Sequence, residues 1–215
     1  MTSRILVIVG TPIADSLNHA LAAEYTAAAR AGGTEVRVID LAVDPIPAHP
    51  RHRDELRAPR SDADRPLDAD VARYIDDVRW AEHIVIVHPQ WWGTAPAALK
   101  AFIDRVFLSG FAFRYRDRTA ISDKLLAGRT ARLIMTMDSP RAWNRLAYRN
   151  AAETSLTRAT LGYCGIATVG ITRFTPVRFS SADARTRWLA QVAALGTRDA
   201  AGTRRGRQRA ASVPV

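Results

Sequence analysis

Two tryptophans stand side by side at Trp91 and Trp92, inside the turn sequence Pro89-Gln90-Trp91-Trp92-Gly93-Thr94. One Trp beside a core can simply seal it. A pair joined to a glycine, in a turn bounded by Pro89 and Pro96, offers a wall to a flat ligand. A second stretch able to do chemistry is Gly10-Thr11-Pro12-Ile13-Ala14-Asp15-Ser16-Leu17-Asn18. It joins an apolar run to a helical pattern, and a helix N-terminus reached by such a loop attracts anions through its unpaired N–H groups and its dipole. Ser16 and Asn18 could add side-chain donors to a phosphate; the alternative is that Asp15 or Ser16 only caps the helix.

Other reactive residue types point elsewhere. Cys164 is the sole cysteine, which excludes an intrachain disulfide and a Cys-rich metal site, and its apolar surroundings suit a passive buried thiol. His49 and His52 lack a carboxylate in register and read as solvated loop histidines, so no metal is expected. His88 reads as a structural hydrogen-bonding residue. The glycine-rich dinucleotide fingerprint and the Walker loop are both missing.

The elements that must position these residues follow from periodicity. Arg4 to Val9 is an apolar strand, Leu17 to Ala31 a helix closed by Gly32-Gly33, and Glu35 to Leu41 an alternating strand. Residues 42–66 hold five prolines and many charges, a length that suits a functional cover or a disordered segment. A helix over Leu67 to Trp80, a strand over Ile84 to Val87 and a helix over Ala95 to Leu108 come next. Ala131 to Met137 is a strand, residues 142–161 are helical, Ile166 to Phe174 is a strand, and a last helix opens at Ser180-Ser181-Ala182-Asp183. Strands alternating with helices make an α/β domain with a parallel sheet, whose ligands bind beyond the carboxyl ends of the strands. The chain of 215 residues suits one such domain over residues 1–197, followed by an Arg-rich tail over 198–215 that reads as disordered.

The stretch from residue 84 to 115 resembles the flavodoxin-like NAD(P)H:quinone oxidoreductase family. The likeness rests on Pro89, Trp92 and Pro96 in a Pro-x-x-Trp-x-x-x-Pro pattern, then Leu99-Lys100, Asp104-Arg105-Val106-Phe107 and Gly110-Phe111-Ala112-Phe113. Ser16-Leu17-Asn18 is similar to that family's phosphate-contacting loop. The resemblance implies a three-layer sandwich with a five-stranded parallel sheet of order 2-1-3-4-5, and a bound flavin, FMN or FAD. It implies flavin contacts at Thr11, Ser16, Leu17, Asn18, Pro89, Gln90, Trp91, Trp92, Gly93, Thr94, Thr136, Met137 and Asp138. It also implies a homodimer, for which Phe111, Phe113 and Tyr115 are candidate contacts, core packing being the alternative. Thr136-Met137-Asp138-Ser139 replaces the family's Thr-Thr-Gly-Gly loop, and no catalytic acid can be assigned, Trp143, Asn144 and Tyr148 being only neighbours of the right kind.

The activity so implied is two-electron reduction of a quinone or similar electrophile, with NAD(P)H as donor. A non-catalytic electron carrier or a regulatory subunit of a larger system is the alternative. A net charge of +10 invites a nucleic-acid reading, but much of the excess lies in residues 198–215, so no nucleic-acid partner is expected. No run approaches the ~18 apolar residues of a membrane span, and the short run Ile5 to Val9 does not make a secretory signal, so a cytoplasmic location is expected.

Overall fold

Val and Ile fill the strands on both faces, and the chain responds by covering both. The computed structural model describes residues 3–119 and 121–211, with side chains described as far as residue 202. β1 (Arg4–Val9), β2 (Glu35–Asp40), β3 (His83–Pro89), β6 (Thr130–Thr136) and β7 (Ala167–Phe174) form a parallel sheet in the order β2-β1-β3-β6-β7. This is the expected 2-1-3-4-5 order of a flavodoxin-like sandwich, counted over the main sheet.

Alternation along each strand sorts the core into two layers. Ile5, Val7 and Val9 of β1, with Val85 and Val87 of β3, face α1 (Leu17–Ala31) and α6 (Ala182–Ala211) through Leu21, Tyr25, Val192 and Leu195. Leu6, Ile8, Ile84 and Ile86 face the other way, toward α2 (Ala69–Trp80) and α3 (Ala97–Val106), where Val71, Tyr74, Ile75, Leu99, Phe102 and Ile103 meet them. Burial of such side chains, worth about 1.5–3 kcal/mol each, is the main force holding the layers.

At the carboxyl edge the ladder continues one step beyond the strands. Leu41 N–H donates to Val9 O (3.1 Å), Gly10 N–H to Val87 O (2.7 Å), Gln90 N–H to Thr136 O (2.7 Å) and Met137 N–H to Phe174 O (3.0 Å).

Two features go beyond the expectations, and two expectations, over residues 142–161 and over the tail, are corrected. A short antiparallel pair, β4 (Phe113–Tyr115) with β5 (Ser122–Lys124), lies outside the main sheet. Phe111 is buried and Phe113 packs edge-on against Tyr163, leaving Tyr115 as the exposed member of the three aromatics. Residues 142–161 are not one helix: α4 (Arg141–Leu146) ends before Arg149 and Asn150, both with positive φ, and α5 (Ala151–Thr154) runs into a widened π-type segment, Ser155–Gly162. The tail does not begin at 198. α6 continues through that point to Ala211, and Asp199 is buried; the rest of the expected tail, residues 212–215, lies outside the described residues.

Residues 42–66 hold a 3₁₀ turn at Arg53–Leu56 and are anchored from below. Buried Arg105 donates to Ala48 O (2.7 Å) and pairs with Asp68 (2.8 Å), and Tyr74 OH donates to Pro45 O (2.7 Å).

Asp199 gathers four elements at the amino end of the sheet. Arg132 of β6 clasps it with two bonds of 2.6 and 2.8 Å, Tyr25 OH of α1 donates at 2.8 Å, and His83 Nε2 of β3 lies 3.3 Å away. Gly170 of β7 leaves the room: a Cβ there would stand 2.3 Å from the Arg132 guanidinium. Burial alone would raise the Asp199 carboxyl, but Arg132, His83 and Tyr25 outweigh it and hold the group well below the usual carboxylate range. A carboxyl depressed in the folded state contributes stability above its unfolded range, and that contribution fades as the pH falls toward the folded value. Asp199→Asn is therefore expected to lower unfolding free energy at neutral pH by about 3 kcal/mol, the scale of a broken buried pair. Urea unfolding should show the gap from wild type narrowing below about pH 4. Equal midpoints at pH 7 would contradict this role.

Candidate functional site

The carboxyl ends of β1, β3 and β6 open into a cleft of about 240 Å³. Thr11, Ile13, Ser16, Leu17 and Asn18 line it from the first loop, and Pro89, Gln90 and Trp91 from the second. Thr136, Met137 and Asp138 come from the third, and Val177 from the loop after β7. Among the residues expected at a flavin, Trp92, Gly93 and Thr94 do not line this cleft. Ile13 and Val177 do, although no sequence signal singled them out; Val177 is brought in by its N–H bond to Met137 O (3.1 Å).

The first loop delivers the N-terminus of α1, where geometry leaves the N–H groups of Leu17 and Asn18 without intrahelical acceptors. Ile13 N–H donates to Thr11 Oγ1 (3.3 Å), so Thr11 shapes the loop from a buried position. Thr136 Oγ1 donates to Asn18 Oδ1 (3.1 Å), tying the first loop to the end of β6 and leaving the Asn18 amide nitrogen for another acceptor. Asp138 accepts Arg178 N–H at 2.7 Å, which engages its charge with the loop after β7.

The second loop is a two-residue turn closed by both of its backbone bonds, Trp91 N–H to Thr94 O and Thr94 N–H to Trp91 O, each 2.9 Å. Trp92 (φ 51°) and Gly93 (φ 72°) are its two central residues, both left-handed, which is the geometry that usually selects Asn-Gly. Gly93 meets this demand without cost and Trp92 does not. Trp92 is fully exposed at 102%, whereas Trp91 turns its ring to the cleft wall. Of the two tryptophans expected to wall a flat ring, Trp91 lines the cleft and Trp92 does not. Trp91 also borders a second cavity of about 360 Å³, with Trp92, Ala97, Lys100, Ile103 and Leu156. Tyr148 packs over the turn, its ring 3.9 Å from where a Gly93 Cβ would stand, so a residue named only as a neighbour in sequence does reach the rim.

Gln90 is oriented by a chain of one-way groups. Arg173 of β7 can only donate, and it does so to buried Glu153 through Nε (2.7 Å) and Nη2. Glu153 can only accept, so the Asn144 nitrogen faces it at 2.9 Å and the Asn144 oxygen faces outward. That oxygen receives Gln90 Nε2–H at 2.8 Å. The Gln90 oxygen is left with no partner among the described groups. His88, directly beneath, is buried, and Nδ1 donates to Pro89 O (3.0 Å). Burial lowers its imidazole to about 4 against the opposing pull of that carbonyl and of Glu153, so at neutral pH it is neutral, with its one N–H committed to Pro89 O. Burial raises the Cys164 thiol to about 11, in keeping with a passive residue. Among the described residues, no cluster of His, Cys, Asp and Glu could hold a metal.

Two measurements follow. The unfolded chain protonates His88 below pH ~6.5 while the folded chain does not until about 4, so folded stability falls through that window. His88→Leu removes this loss, and its unfolding free energy relative to wild type should rise by roughly 3 kcal/mol from pH 7 to pH 4. Trp92→Asn should stabilise the flavin-free protein by about 1 kcal/mol, because Asn accepts a positive φ more readily and no buried contact is lost. A lowered thermal midpoint for Trp92→Asn would contradict the strain.

Residues 3–195 match the family described as having the flavodoxin-like fold. An FMN-dependent NADH:quinone oxidoreductase of Alcanivorax borkumensis is 36% identical over 91 residues, 39% of this chain and 44% of the relative. This chain therefore aligns with less than half of that relative's length. A protein of the same name from Azospirillum brasilense is 29% identical over 200 residues, covering 87% of this chain and 92% of the relative. Among solved structures, Smu.1420 from Streptococcus mutans superposes with a TM-score of 0.72 at 27% identity, over 91% of this chain and 99% of that one. With the sheet order, the cleft at its carboxyl edge and the match over residues 3–195 agreeing, the chain belongs to the flavodoxin-like fold family.

Proposed function

We propose that the protein is an FMN-dependent NAD(P)H oxidoreductase that reduces a quinone or similar electrophile by two electrons. The observation that carries this reading is the cleft itself. It joins the amino end of α1, suited to a phosphate, with the flat wall of Trp91, suited to a ring, at the carboxyl edge of the sheet. The names of the Alcanivorax and Azospirillum relatives support FMN over FAD and NADH as a donor.

The residues present fit such a group. Leu17 and Asn18 N–H, with Ser16 and the Asn18 amide, would hold the phosphate end. Trp91 and Met137, which line the same cleft, would meet the ring and exclude water. The unpaired Gln90 oxygen offers an acceptor to a ring N–H, an arrangement that an empty apolar plug would leave unsatisfied. When bound, FMN supplies the two-electron redox chemistry between nicotinamide and quinone. The chain's part is binding, orientation and electrostatics. Neutral, buried His88 is not an acid here; any proton comes from solvent or from the rim, where Tyr148 stands.

The same reading makes the protein a cytoplasmic homodimer. Trp92, fully exposed, lines the 360 Å³ cavity, and Trp143 (57% exposed) packs edge-on against Tyr148, whose ring lies by Gly93 of the same turn; a second copy covering this apolar surface would close the cleft from outside. No helix among the described residues is long and apolar enough to cross a membrane.

FMN titrated into the purified protein should bind with a change in its visible spectrum. Anaerobic NADH or NADPH should then bleach it, and a quinone should restore it. Binding without bleaching would leave a carrier or regulatory protein instead, and no binding would overturn the reading. Trp91→Ala should weaken FMN affinity about tenfold, ~1.4 kcal/mol, by removing the ring wall.

A further inference from the structure

The first turn of α1 is built as a capping box in which the usual Glu or Gln is replaced by His19. His19 Nδ1 accepts Ser16 N–H at 3.3 Å and lies 2.9 Å from Ser16 Oγ; on its far side His19 Nε2 lies 3.0 Å from Asp40 Oδ1. The proton positions follow from what each group can do. A carboxylate only accepts, so Nε2 carries the hydrogen, and in a neutral imidazole Nδ1 is then bare. Bare Nδ1 draws the single hydroxyl proton of Ser16 toward itself. Ser16 lines the cleft, and in this state it turns oxygen lone pairs toward whatever anion enters.

Adding one proton reverses the arrangement. With both ring nitrogens protonated, Nδ1–H donates to Ser16 Oγ, and the hydroxyl proton is free to turn to an anion. Ser16 N–H, no longer accepted by the ring, is freed as well, and the imidazolium brings a positive charge to the helix end. Charge-assisted bonds of this kind are about twice as strong as neutral ones. The charged group bonded to the ring is Asp40 at the end of β2; Asp44 in the following turn accepts Asp40 N–H at 2.8 Å and is bonded to Arg73 of α2 at 3.0 Å, and Asp15 precedes Ser16 in the loop. α1 carries no acidic residue in its first turn.

We propose that His19 and Asp40 are positioning residues for the cofactor phosphate, and that a phosphomonoester entering this cleft is bound together with one proton taken up at His19. This rests on the flavin reading above and adds a property to it: the protein should distinguish FMN from riboflavin, which lacks the phosphate, more strongly as the pH falls.

The test titrates FMN and riboflavin between pH 6 and pH 8, following flavin fluorescence, and measures proton uptake by calorimetry in two buffers of different ionisation enthalpy. His19→Gln keeps a capping-box acceptor for Ser16 and a donor for Asp40 but cannot titrate. Because free FMN titrates identically in both experiments, the difference between the proteins reports the proton taken up through His19 and the phosphate it faces. Wild type should take up more protons on binding FMN than His19→Gln does, by up to one per flavin. Its FMN affinity relative to the variant should rise at least tenfold from pH 8 to pH 6, with no such trend for riboflavin. Asp40→Asn, which loosens the tautomer lock, should reduce the uptake while keeping a cooperative unfolding transition. Equal uptake in wild type and His19→Gln, or the same trend with riboflavin, overturns the coupling while leaving the flavin site standing. Failure of wild type to bind FMN at any pH overturns both.

Discussion

The row of backbone hydrogen bonds that runs on past the strand ends is the constraint on which the site depends. Leu41 to Val9, Gly10 to Val87, Gln90 to Thr136 and Met137 to Phe174 carry the ladder one residue into each loop. Loops are ordinarily the mobile part of an α/β fold. Here the first residue of each loop is held at ladder spacing by the neighbouring strand, so the residues that follow start from fixed positions. The cleft is thus an extension of the sheet, and its width is set by the spacing of β1, β3 and β6 before any side chain is chosen. The cross-link from Thr136 to Asn18 then closes the one side on which the first loop could swing away.

Much of this was legible in the chain because period and punctuation are local. A strand buried on both faces reads as an unbroken apolar run, as in β1 and β3, and an edge strand such as β2 reads by alternation, so all five main-sheet strands were visible, as were the turn at Trp91 to Thr94 and the loop at Ser16 to Asn18. What was not legible is what depends on contacts distant in sequence. Arg132 and Asp199 lie 67 residues apart, and a charge count saw only one acid among arginines near the end of the chain. That one acid ties the last helix to β6 and α1. Ile13 and Val177 joined the cleft for the same cause, since hydrophobic loop residues carry no periodicity to announce them. The break in residues 142–161 was hidden because residues with ordinary helix propensity surround it; Asn150, tolerant of positive φ, was the one local hint.

Trp91 and Trp92 show how two adjacent residues of one turn come to face different surroundings. Side chains alternate around a tight turn, so one residue of an adjacent pair faces in and the other out. Which does so is decided by the turn type, and the turn type is decided by Gly93. With Gly93 at the second left-handed position, Trp92 must occupy the first, and its ring is thrown outward. A sequence pattern records the spacing of residues but not the handedness of the backbone between them.

The two ends of the sheet hold opposite kinds of polar structure. At the amino end, the Asp199 cluster draws Arg132, Tyr25 and His83 onto one buried carboxylate, an arrangement that fastens α6 to the sheet. At the carboxyl end, polar groups are deliberately incomplete: Gln90 has an oxygen without a partner, Trp92 sits in a costly backbone region, and the first N–H groups of α1 point into the cleft. Each such defect costs on the order of 1–3 kcal/mol and persists only where its surroundings over-determine it. The surroundings here are the continued ladder and the one-way chain from Arg173 through Glu153 and Asn144. Their rigidity prevents the cleft from relaxing its unpaired groups against one another, and so keeps those groups available to a ligand.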